Sequence, residues 1–394
     1  MKNQIILSLL AISGLASCSD NSDDNYEEIP SYPFVEAEFG STVDLGNLAN
    51  YANQTVPAYI IKDNSQGNLI TDKGATLGRV LFYDKNLSSN NTISCASCHK
   101  QEFAFSDTNV ASTGVNGTTG RHSMRLINSR FASETKFFWN ERALNLETQT
   151  TMPIKDHGEM GFSGENGDLS FDDLITKLSA IGYYKELFKF VYGTEEITEA
   201  KIQSALAQFI RSIQSFDSKY DAGRALATND GQPFSNFTAQ ENQGKNLFLS
   251  PPVFNTNGVR TSGGLGCAGC HRAPEFDIDP NTLNNGIIGT IAGTGIDTGN
   301  TRAPSLRDLV RTDGTTNGPM MHTGVITTLQ AAIGHYGTIN IAPGNNNLDP
   351  RITLGGIGQQ LNLTAPEVNA VIAFLRTLSG TDVYTNTKWS NPFN

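Results

Sequence analysis

Two stretches of the sequence carry the same reactive side chains at the same spacing. Residues 94–100 read SCASCHK and residues 266–272 read GCAGCHR, so each stretch contains the pattern Cys-x-x-Cys-His. Two thiols at this spacing can add to the two vinyl groups of one porphyrin, and the histidine that follows can bind the iron at its centre. The pattern therefore predicts two covalently bound haem c groups, attached through Cys95, Cys98, His99, Cys267, Cys270 and His271.

Two other chemistries use cysteine pairs, and both stay open as alternatives. A structural zinc ion needs four ligands in a tetrahedral arrangement, whereas Cys-x-x-Cys-His offers three within one turn, in an awkward geometry. A redox dithiol needs both cysteines but has no use for the adjacent histidine. Haem attachment explains all three side chains in both stretches, and it is the interpretation we adopt.

The fifth cysteine of the chain, Cys18, has a different context. Residues 1–18 read MKNQIILSLLAISGLASC, with one lysine near the start, an apolar run too short to span a bilayer, and small residues before the cysteine. These features are typical of an export signal, and residues 15–18 resemble a bacterial lipobox. We expect residues 1–17 to be a lipoprotein signal peptide and Cys18 to carry the lipid. A plain signal peptide cut elsewhere is the alternative.

The net charge and the acidic stretch after Cys18 bear on the partners and the location of the protein. The chain has 394 residues and a net charge of −11. This charge disfavours nucleic acid as a partner and favours a basic redox protein as a partner. Residues 18–40 are acidic and poor in apolar side chains, so we expect a flexible tether between lipid and domain. The predicted location is periplasmic or cell-surface, anchored to a membrane through the lipid.

The segments that precede the two haem motifs are similar to each other. Residues 77–82 (LGRVLF) and 243–248 (QGKNLF) share a glycine, a basic residue and Leu-Phe, and each is followed by a loop and the haem motif. Each segment is typical of the first helix of a cytochrome c domain. Thr238 and Glu241 form a capping box that predicts a helix from about residue 239.

Apolar residues at helical spacing complete the expected fold. They include Ile202, Leu206, Phe209, Ile210 and Ile213, which we expect in a core, and a capped amphipathic helix is predicted within residues 364–380. We see no convincing strand alternation. The prediction is a mainly α protein with long loops and two cytochrome c-like domains, residues 41–235 and 236–394, each carrying one covalent haem c.

Residues 71–380 resemble the bacterial di-haem cytochrome c peroxidase family, which includes the di-haem enzyme of methylamine utilisation. The matching segments occur in the family's order: LFYDKNLS, LINSRF, the Phe-Trp-x-x-Arg-Ala core, Gln149, PI, EM, TRAPSLRDL and GPMMHTG. The resemblance implies that the first haem, with His99 as proximal ligand, is the peroxide site. The second haem, with His271 as proximal ligand, would receive and store electrons.

The resemblance also assigns roles around the first haem. Glu159 matches the distal glutamate, and a carboxyl group in a haem pocket would have its ionised form disfavoured, which suits an acid/base group. Gln149 matches a glutamine that lines the pocket, and Trp139 a tryptophan between the haems that relays electrons. Arg142 could reach a haem propionate or an internal carboxylate. A loop carboxylate, an exposed glutamine and a core aromatic are the structural alternatives for the first three.

Two positions depart from the typical peroxidase. Tyr336 stands where a methionine would bind the second iron, as in the methylamine-utilisation enzyme, and His335 is the competing ligand. His122 stands where the family has an asparagine, and a loop histidine before it is missing. This weakens the case for a calcium ion between the domains, although Asn317 and Pro319 would still offer carbonyl groups.

We predict mainly structural roles for three other histidines. We expect His122 to be a hydrogen-bonded interdomain residue, with iron or metal ligation as the alternative. His322 lies in the family motif GPMMHTG and is predicted to be structural or to contact a propionate. His157 is expected in a loop beside Glu159.

The predicted function is a di-haem c-type peroxidase that reduces hydrogen peroxide with electrons from a small cytochrome or another small redox donor. One alternative is a peroxide-dependent oxidase of a protein or organic substrate that uses high-valent haem. The other is a non-catalytic di-haem electron carrier. A homodimer is also considered.

Overall fold

The computed structural model describes residues 31–278 and 281–393, and this part of the chain is mainly helical. The helices are α1 Pro33–Phe39, α2 Asp72–Tyr83, α3 Cys95–Cys98, α4 Leu146–Thr151, α5 Phe171–Ser179, α6 Gly182–Tyr192, α7 Glu199–Ser212, α8 Lys219–Arg224, α9 Ala239–Leu249, α10 Leu329–Gly337 and α11 Ala365–Arg376. Long irregular segments connect them. The mainly α prediction is confirmed.

Strands in the described residues are limited to four antiparallel two-stranded hairpins. They are β1 Thr113–Gly114 with β2 Gly117–Thr118, β3 Pro252–Phe254 with β4 Arg260–Gly263, β5 His271–Arg272 with β6 Asp277–Ile278, and β7 Thr353–Leu354 with β8 Ile357–Gly358. Each strand has two to four residues. Such short strands leave no alternation pattern in a sequence.

The first helix crossing joins α2 to α7. A Cβ atom at Gly78 would lie 2.0 Å from the carbonyl oxygen of Ala205, so the two helices approach at a distance that only glycine permits. Beside the crossing, the rings of Phe82 and Phe209 pack with centroids 5.2 Å apart. All five apolar residues predicted for the core, from Ile202 to Ile213, are buried.

The second helix crossing repeats this arrangement between α9 and α11. A Cβ atom at Gly244 would lie 1.9 Å from the carbonyl oxygen of Ala370, and the rings of Phe248 and Phe374 have centroids 5.3 Å apart. The predicted capping box is present: Thr238 accepts a hydrogen bond from the Glu241 amide, and the Glu241 carboxylate accepts one from the Thr238 amide. The sequence repeat therefore corresponds to a repeated helix crossing.

Each crossing lies in its own hydrophobic cluster. The first cluster draws on residues 35–213 and also on Val383 and Trp389, and the second draws on residues 220–378. The chain therefore leaves the second cluster near its end and returns to the first. There the indole N–H of Trp389 donates to the hydroxyl oxygen of Ser212 at 3.3 Å.

The flexible tether predicted for residues 18–40 overlaps a helix. Residues 33–39 form α1, whose side chains Val35 and Phe39 are buried in the first cluster. Two apolar residues four apart gave this short helix an inward face despite its acidic surroundings. The predicted signal peptide, Cys18 and most of the tether lie outside the described residues. Within the described part, no helix is long and apolar enough to cross a bilayer.

Candidate functional site

The first Cys-x-x-Cys-His motif forms a single helical turn. Ser94 caps α3, and His99 follows directly after it, with its Nδ1 atom 3.2 Å from the carbonyl oxygen of Phe105. An N–H at Nδ1 would donate to this carbonyl and leave Nε2 with a free lone pair, as in histidines that bind metals. Desolvation lowers the pKa of His99 to about 4, so the ring is neutral and able to coordinate.

The thiols of the motifs have the opposite character from redox cysteines. Desolvation raises the pKa of Cys95 and Cys267 to about 12 and that of Cys98 to about 11. Reactive dithiols lower their pKa so that the thiolate attacks. In addition, no group of three or more His, Cys, Asp or Glu side chains in the described residues could hold a metal ion. The raised thiol pKa values favour haem attachment over a redox dithiol.

A cavity of about 60 Å³ adjoins the first motif. Its lining includes the motif residues Cys95, Cys98 and His99 together with Gln149 and Glu159. The donor set fits a haem iron with polar groups beside it.

The carboxyl group of Glu159 has an unusual acidity. Its pKa is raised to about 7, chiefly by desolvation and also by the charge of Asp156, while the charge of Arg142 lowers it. The turn that carries it is fixed on both sides, because its amide donates to Asp156 Oδ1 at 3.0 Å and its carbonyl accepts from Val115 at 3.0 Å. A carboxyl group with this pKa can accept and release a proton near neutrality.

Arg142 acts on Glu159 from outside the cavity lining. Its guanidinium group stacks on the ring of Phe138, 3.5 Å from the centroid, and donates to Asn140 Oδ1 at 3.1 Å. Its charge contributes to the pKa of Glu159. Of the two partners considered for Arg142, an internal carboxylate therefore has electrostatic support.

The second motif borders a much larger cavity, of about 490 Å³. Cys267 begins a short 3₁₀ turn, and His271 begins β5. The lining includes Cys267, Cys270, His271, Tyr336 and Trp139, along with many aliphatic side chains. Desolvation lowers the pKa of His271 to about 4, so this ring too is neutral.

Two arginines in the wall of the second cavity lack sufficient anionic partners. The Nε atom of Arg125 is buried without a hydrogen bond, and desolvation lowers the pKa of this arginine to about 10. The Nε atom of Arg302 is also without one, and its Nη2 atom lies 3.8 Å from Asp277 Oδ1. Buried cations require compensating anions, and a haem in this cavity would bring two propionates. The cavity therefore fits a haem, and neither arginine was identified from the sequence.

Tyr336 and His335 face different surroundings at the end of α10. Tyr336 lines the second cavity, and desolvation raises the pKa of its hydroxyl group well above the usual value. His335 is not among the lining residues, and its Nε2 atom lies 2.9 Å from the carbonyl oxygen of Asn285. Only Tyr336 of the two is presented to the cavity.

Trp139 is placed at the second cavity and not at the first. Its indole N–H donates to the carbonyl oxygen of His122 at 2.6 Å, and its own carbonyl accepts from the amide of Arg302 at 2.7 Å. The segment that begins at His122 connects the two cavities, since Met124 lines the second and Leu126 lines the first. Trp139 is thus attached to the strip of chain between the cavities.

Comparisons with known proteins agree with this geometry. The sequence profile of the family described as "Di-haem cytochrome c peroxidase" matches residues 72–229. The methylamine utilization protein MauG of Methylorubrum extorquens is 29% identical over 324 residues, which cover 79% of this chain and 80% of that protein. The chain is similar to the di-haem cytochrome c peroxidase family.

Two solved structures and a further relative are similar to this chain as well. The cytochrome c551 peroxidase of Nitrosomonas europaea is 27% identical over 321 residues, which cover 78% of this chain and 80% of that protein. The crystal structure of a MauG-like protein associated with microbial copper homeostasis has a TM-score of 0.65 at 28% identity and covers 86% of this chain and 99% of that one. The di-haem peroxidase BthA of Burkholderia thailandensis, with a TM-score of 0.56 at 20% identity, shares the fold.

His122 and His322 do not line either cavity. His122 is buried, its Nδ1 atom is 3.0 Å from the carbonyl oxygen of Asn109, and its amide donates to the carbonyl of His322 at 2.8 Å. This agrees with the hydrogen-bonded reading of His122. The ring of His322 lies 3.8 Å from Asp297 and packs edge-on against Trp139, so a structural role is favoured.

Two remaining positions have local partners. His157 is half-exposed and its Nδ1 atom lies 2.8 Å from Asp168, as expected for a loop residue. The side chain of Asn317 donates to the carbonyl of Asp308 at 2.8 Å and contacts the hydroxyl group of Tyr384 at 2.7 Å. The carbonyl groups considered for calcium therefore belong to a segment held by protein contacts.

Proposed function

We propose that this protein is a di-haem c-type peroxidase that reduces hydrogen peroxide to water with electrons from a small redox donor. One observation carries the proposal: Glu159 and Gln149, which are far from the first motif in sequence, line the same cavity as Cys95, Cys98 and His99. An electron carrier needs no acid/base group beside its iron, whereas peroxide cleavage does.

The motif residues would hold the two cofactors. Cys95 and Cys98 would form thioethers to the first haem and His99 would bind its iron, and the corresponding residues of the second motif would hold the second haem. Tyr336, which lines the second cavity, would supply a further oxygen ligand to the second haem. When bound, haem supplies the iron that binds peroxide oxygen and exchanges electrons.

The protein's own contribution to peroxide cleavage is proton movement. Glu159 would accept a proton from one oxygen of hydrogen peroxide and return it to the other oxygen, which leaves as water. The amide group of Gln149 would orient the peroxide by hydrogen bonding. The overall reaction consumes one hydrogen peroxide, two electrons and two protons and gives two water molecules. A pKa of about 7 allows Glu159 to serve in both directions.

Trp139 would lie on the electron route between the two sites. Its indole ring borders the second cavity, and its hydrogen bond to the His122 carbonyl joins it to the segment that also lines the first cavity. The net charge of −11 favours a basic small cytochrome as the donor.

Location and assembly follow from the sequence and belong to the proposal. The protein would be exported, held to a membrane through a lipid on Cys18, and located in the periplasm or at the cell surface. A homodimer and a calcium ion between the domains stay predictions of the family resemblance.

A second candidate function is favoured by Tyr336. An anionic phenolate ligand lowers the potential of iron relative to a neutral thioether, which would suit oxidation of a protein or organic substrate with peroxide. Under this alternative the chain would still use Glu159 in the first cavity, so the two functions differ in the substrate that supplies electrons.

Turnover of the purified holoprotein separates these functions. A pyridine haemochrome assay should give two haems c per chain. Peroxide-dependent oxidation of a reduced small cytochrome that exceeds oxidation of a phenolic substrate would support the peroxidase, and the reverse ratio would support the oxidase. If the loaded protein exchanges electrons with the cytochrome but consumes no peroxide, it is an electron carrier and the proposal is wrong.

A further inference from the structure

Asn285 contacts three side chains at or beside the second cavity that have atoms able to bind iron. Its Nδ2 atom lies 3.5 Å from the hydroxyl oxygen of Tyr336 and 3.6 Å from the sulfur of Met321. Its carbonyl oxygen lies 2.9 Å from Nε2 of His335. Asn285, Tyr336 and Met321 line the cavity, and His335 does not. One residue thus touches a phenol, a thioether and an imidazole.

The orientation of the Asn285 amide group follows from its neighbours. Its Oδ1 atom accepts a hydrogen bond from the amide of Ile287 at 3.1 Å, which forms a turn typical of asparagine. With the oxygen engaged there, the NH2 group must point toward the cavity. At Tyr336 the Asn285 group is therefore a donor and the hydroxyl oxygen an acceptor.

The loop that presents Asn285 is held from within by Asn284. This side chain is fully buried, its Oδ1 accepts from Asn345 at 2.9 Å, and its Nδ2 donates to the carbonyl of Gly299 at 3.1 Å. Its main chain pairs with the segment that follows Asn345, because its amide donates to Asn347 and its carbonyl accepts from Asp349, both at 2.9 Å. Asn285 therefore has a fixed base.

The main chain of Tyr336 is held by a hydrogen bond as well. Gln359 is buried and donates from Nε2 to the carbonyl oxygen of Tyr336 at 2.7 Å. Beside His335, Gly286 has a φ of +90°, and a Cβ atom there would lie 3.6 Å from Cε1 of the imidazole. The main chain at 285–286 thus forms the place where the His335 ring rests, turned away from the cavity.

We propose that Asn285 is a positioning residue that directs the hydroxyl oxygen of Tyr336, rather than His335 or Met321, toward the second haem. Its side chain holds the phenol oxygen as an acceptor, while its main-chain carbonyl retains the imidazole. This inference rests on the proposed function, because it requires a haem in the second cavity.

The decisive variant is Asn285→Asp, compared with Asn285→Ser and with Asn257→Asp as a matched control. Aspartate keeps the size and the acceptor for the Ile287 amide but replaces the donor facing Tyr336 with an acceptor, so the phenol would donate to it and turn from the iron. Serine keeps a turn acceptor but is too short to reach Tyr336. Asn257 is exposed in the β3–β4 turn and is not among the residues that line the cavity.

The readout is the electron paramagnetic resonance spectrum of the resting ferric protein, with haem content measured in parallel. We expect two haems per chain and an unchanged first-haem signal in every variant. The parent second-haem signal should be lost in most Asn285→Asp molecules and in a smaller share of Asn285→Ser molecules, and should persist in Asn257→Asp. Tyr336→Phe should lose it as well.

Three results would overturn the inference. One is retention of the parent second-haem signal in both Asn285 variants. Another is its retention in Tyr336→Phe, because Tyr336 would then not be the group that is positioned. The third is loss of the second haem itself in both Asn285 variants, which would make Asn285 structural. All three leave peroxide turnover by the parent unaffected, whereas a parent with fewer than two haems would defeat the proposed function.

Discussion

The two haem-motif regions share a scaffold and differ in what lines their cavities. Each has a helix crossing closed by a glycine, Gly78 in one and Gly244 in the other, with a phenylalanine pair beside it. The first cavity, of about 60 Å³, has a carboxyl group whose pKa is about 7. The second, of about 490 Å³, has Tyr336 and two arginines with buried, unbonded Nε atoms.

This difference indicates how one duplicated unit can serve two purposes. The crossing fixes the helix that precedes each motif, and the motif histidine is neutral at both sites. Function then depends on segments outside the repeat: a turn after α4 brings Glu159 to the first cavity, and α10 brings Tyr336 to the second. Under the proposed function, the first region would move protons and the second would hold an anionic cofactor edge and store charge.

The largest expected effect tests the proton-moving role of the first region. Glu159→Gln keeps the size of the side chain and removes its basicity, so peroxide turnover should fall by about 10²–10⁴-fold while both haems load. Steady-state peroxide consumption measures this. Glu165→Gln, an exposed glutamate in the same loop region, is the control and should retain the parent rate. Turnover of Glu159→Gln within twofold of the parent would remove Glu159 from the mechanism.

The sequence predicted the parts of the fold that depend on local pattern. Such parts depend on residues a few positions apart, whose spacing alone indicates the structure. They are the capping box at Thr238, the core face of α7 and both motifs. The cavity at Glu159 was expected only through the family resemblance, because the glutamate is 60 residues or more from Cys95, Cys98 and His99.

Other features depend on contacts between distant segments. Arg125 and Arg302 lie 177 positions apart in numbering, and neither looks unusual until the cavity between them exists. The return of Trp389 to the first cluster and the placement of Trp139 at the second cavity are of the same kind. The acidic composition around helix α1 concealed it in the sequence, because only Val35 and Phe39 mark its buried face.

The next largest effect tests whether the two helix crossings are equivalent. Gly78→Ala and Gly244→Ala each place a methyl group about 2 Å from a carbonyl oxygen of the facing helix. Each should lower the free energy of unfolding by about 1–3 kcal/mol, measured by thermal and denaturant unfolding of the holoprotein.

Gly334→Ala in α10 is the matched control, because a Cβ atom there would meet nothing within 4 Å. This variant should keep the parent stability or gain up to about 1 kcal/mol from the better helix propensity of alanine. If one crossing variant is destabilised and the other is not, the two scaffolds are not equivalent in packing.

A smaller effect concerns the ligand of the second region. If Tyr336 binds the iron as a phenolate, Tyr336→Met should raise the midpoint potential of the second haem, since a neutral thioether favours ferrous iron. A tenfold change in the reduction equilibrium corresponds to about 59 mV for one electron, and we expect a shift of that order. Spectroelectrochemical titration measures it. His335→Gln is the control and should leave the potential unchanged; a shift in His335→Gln alone would make His335 the ligand.

The smallest effect concerns the charge balance around Glu159 in the first region. Glu159 must be ionised to accept the peroxide proton, so turnover should rise with pH through its pKa of about 7. Arg142 lowers that pKa from a partly exposed position, where an ion pair is worth ~0.2–1 kcal/mol. Arg142→Gln should therefore move the rising limb to higher pH by about 0.2–0.7 pH units, which lowers the rate at pH 6 by about 1.5-fold to 5-fold after allowing for solvent screening. Lys189→Gln removes an exposed charge elsewhere and should leave the limb in place. A limb that moves to lower pH in Arg142→Gln would mean that Arg142 does not stabilise the ionised form of Glu159.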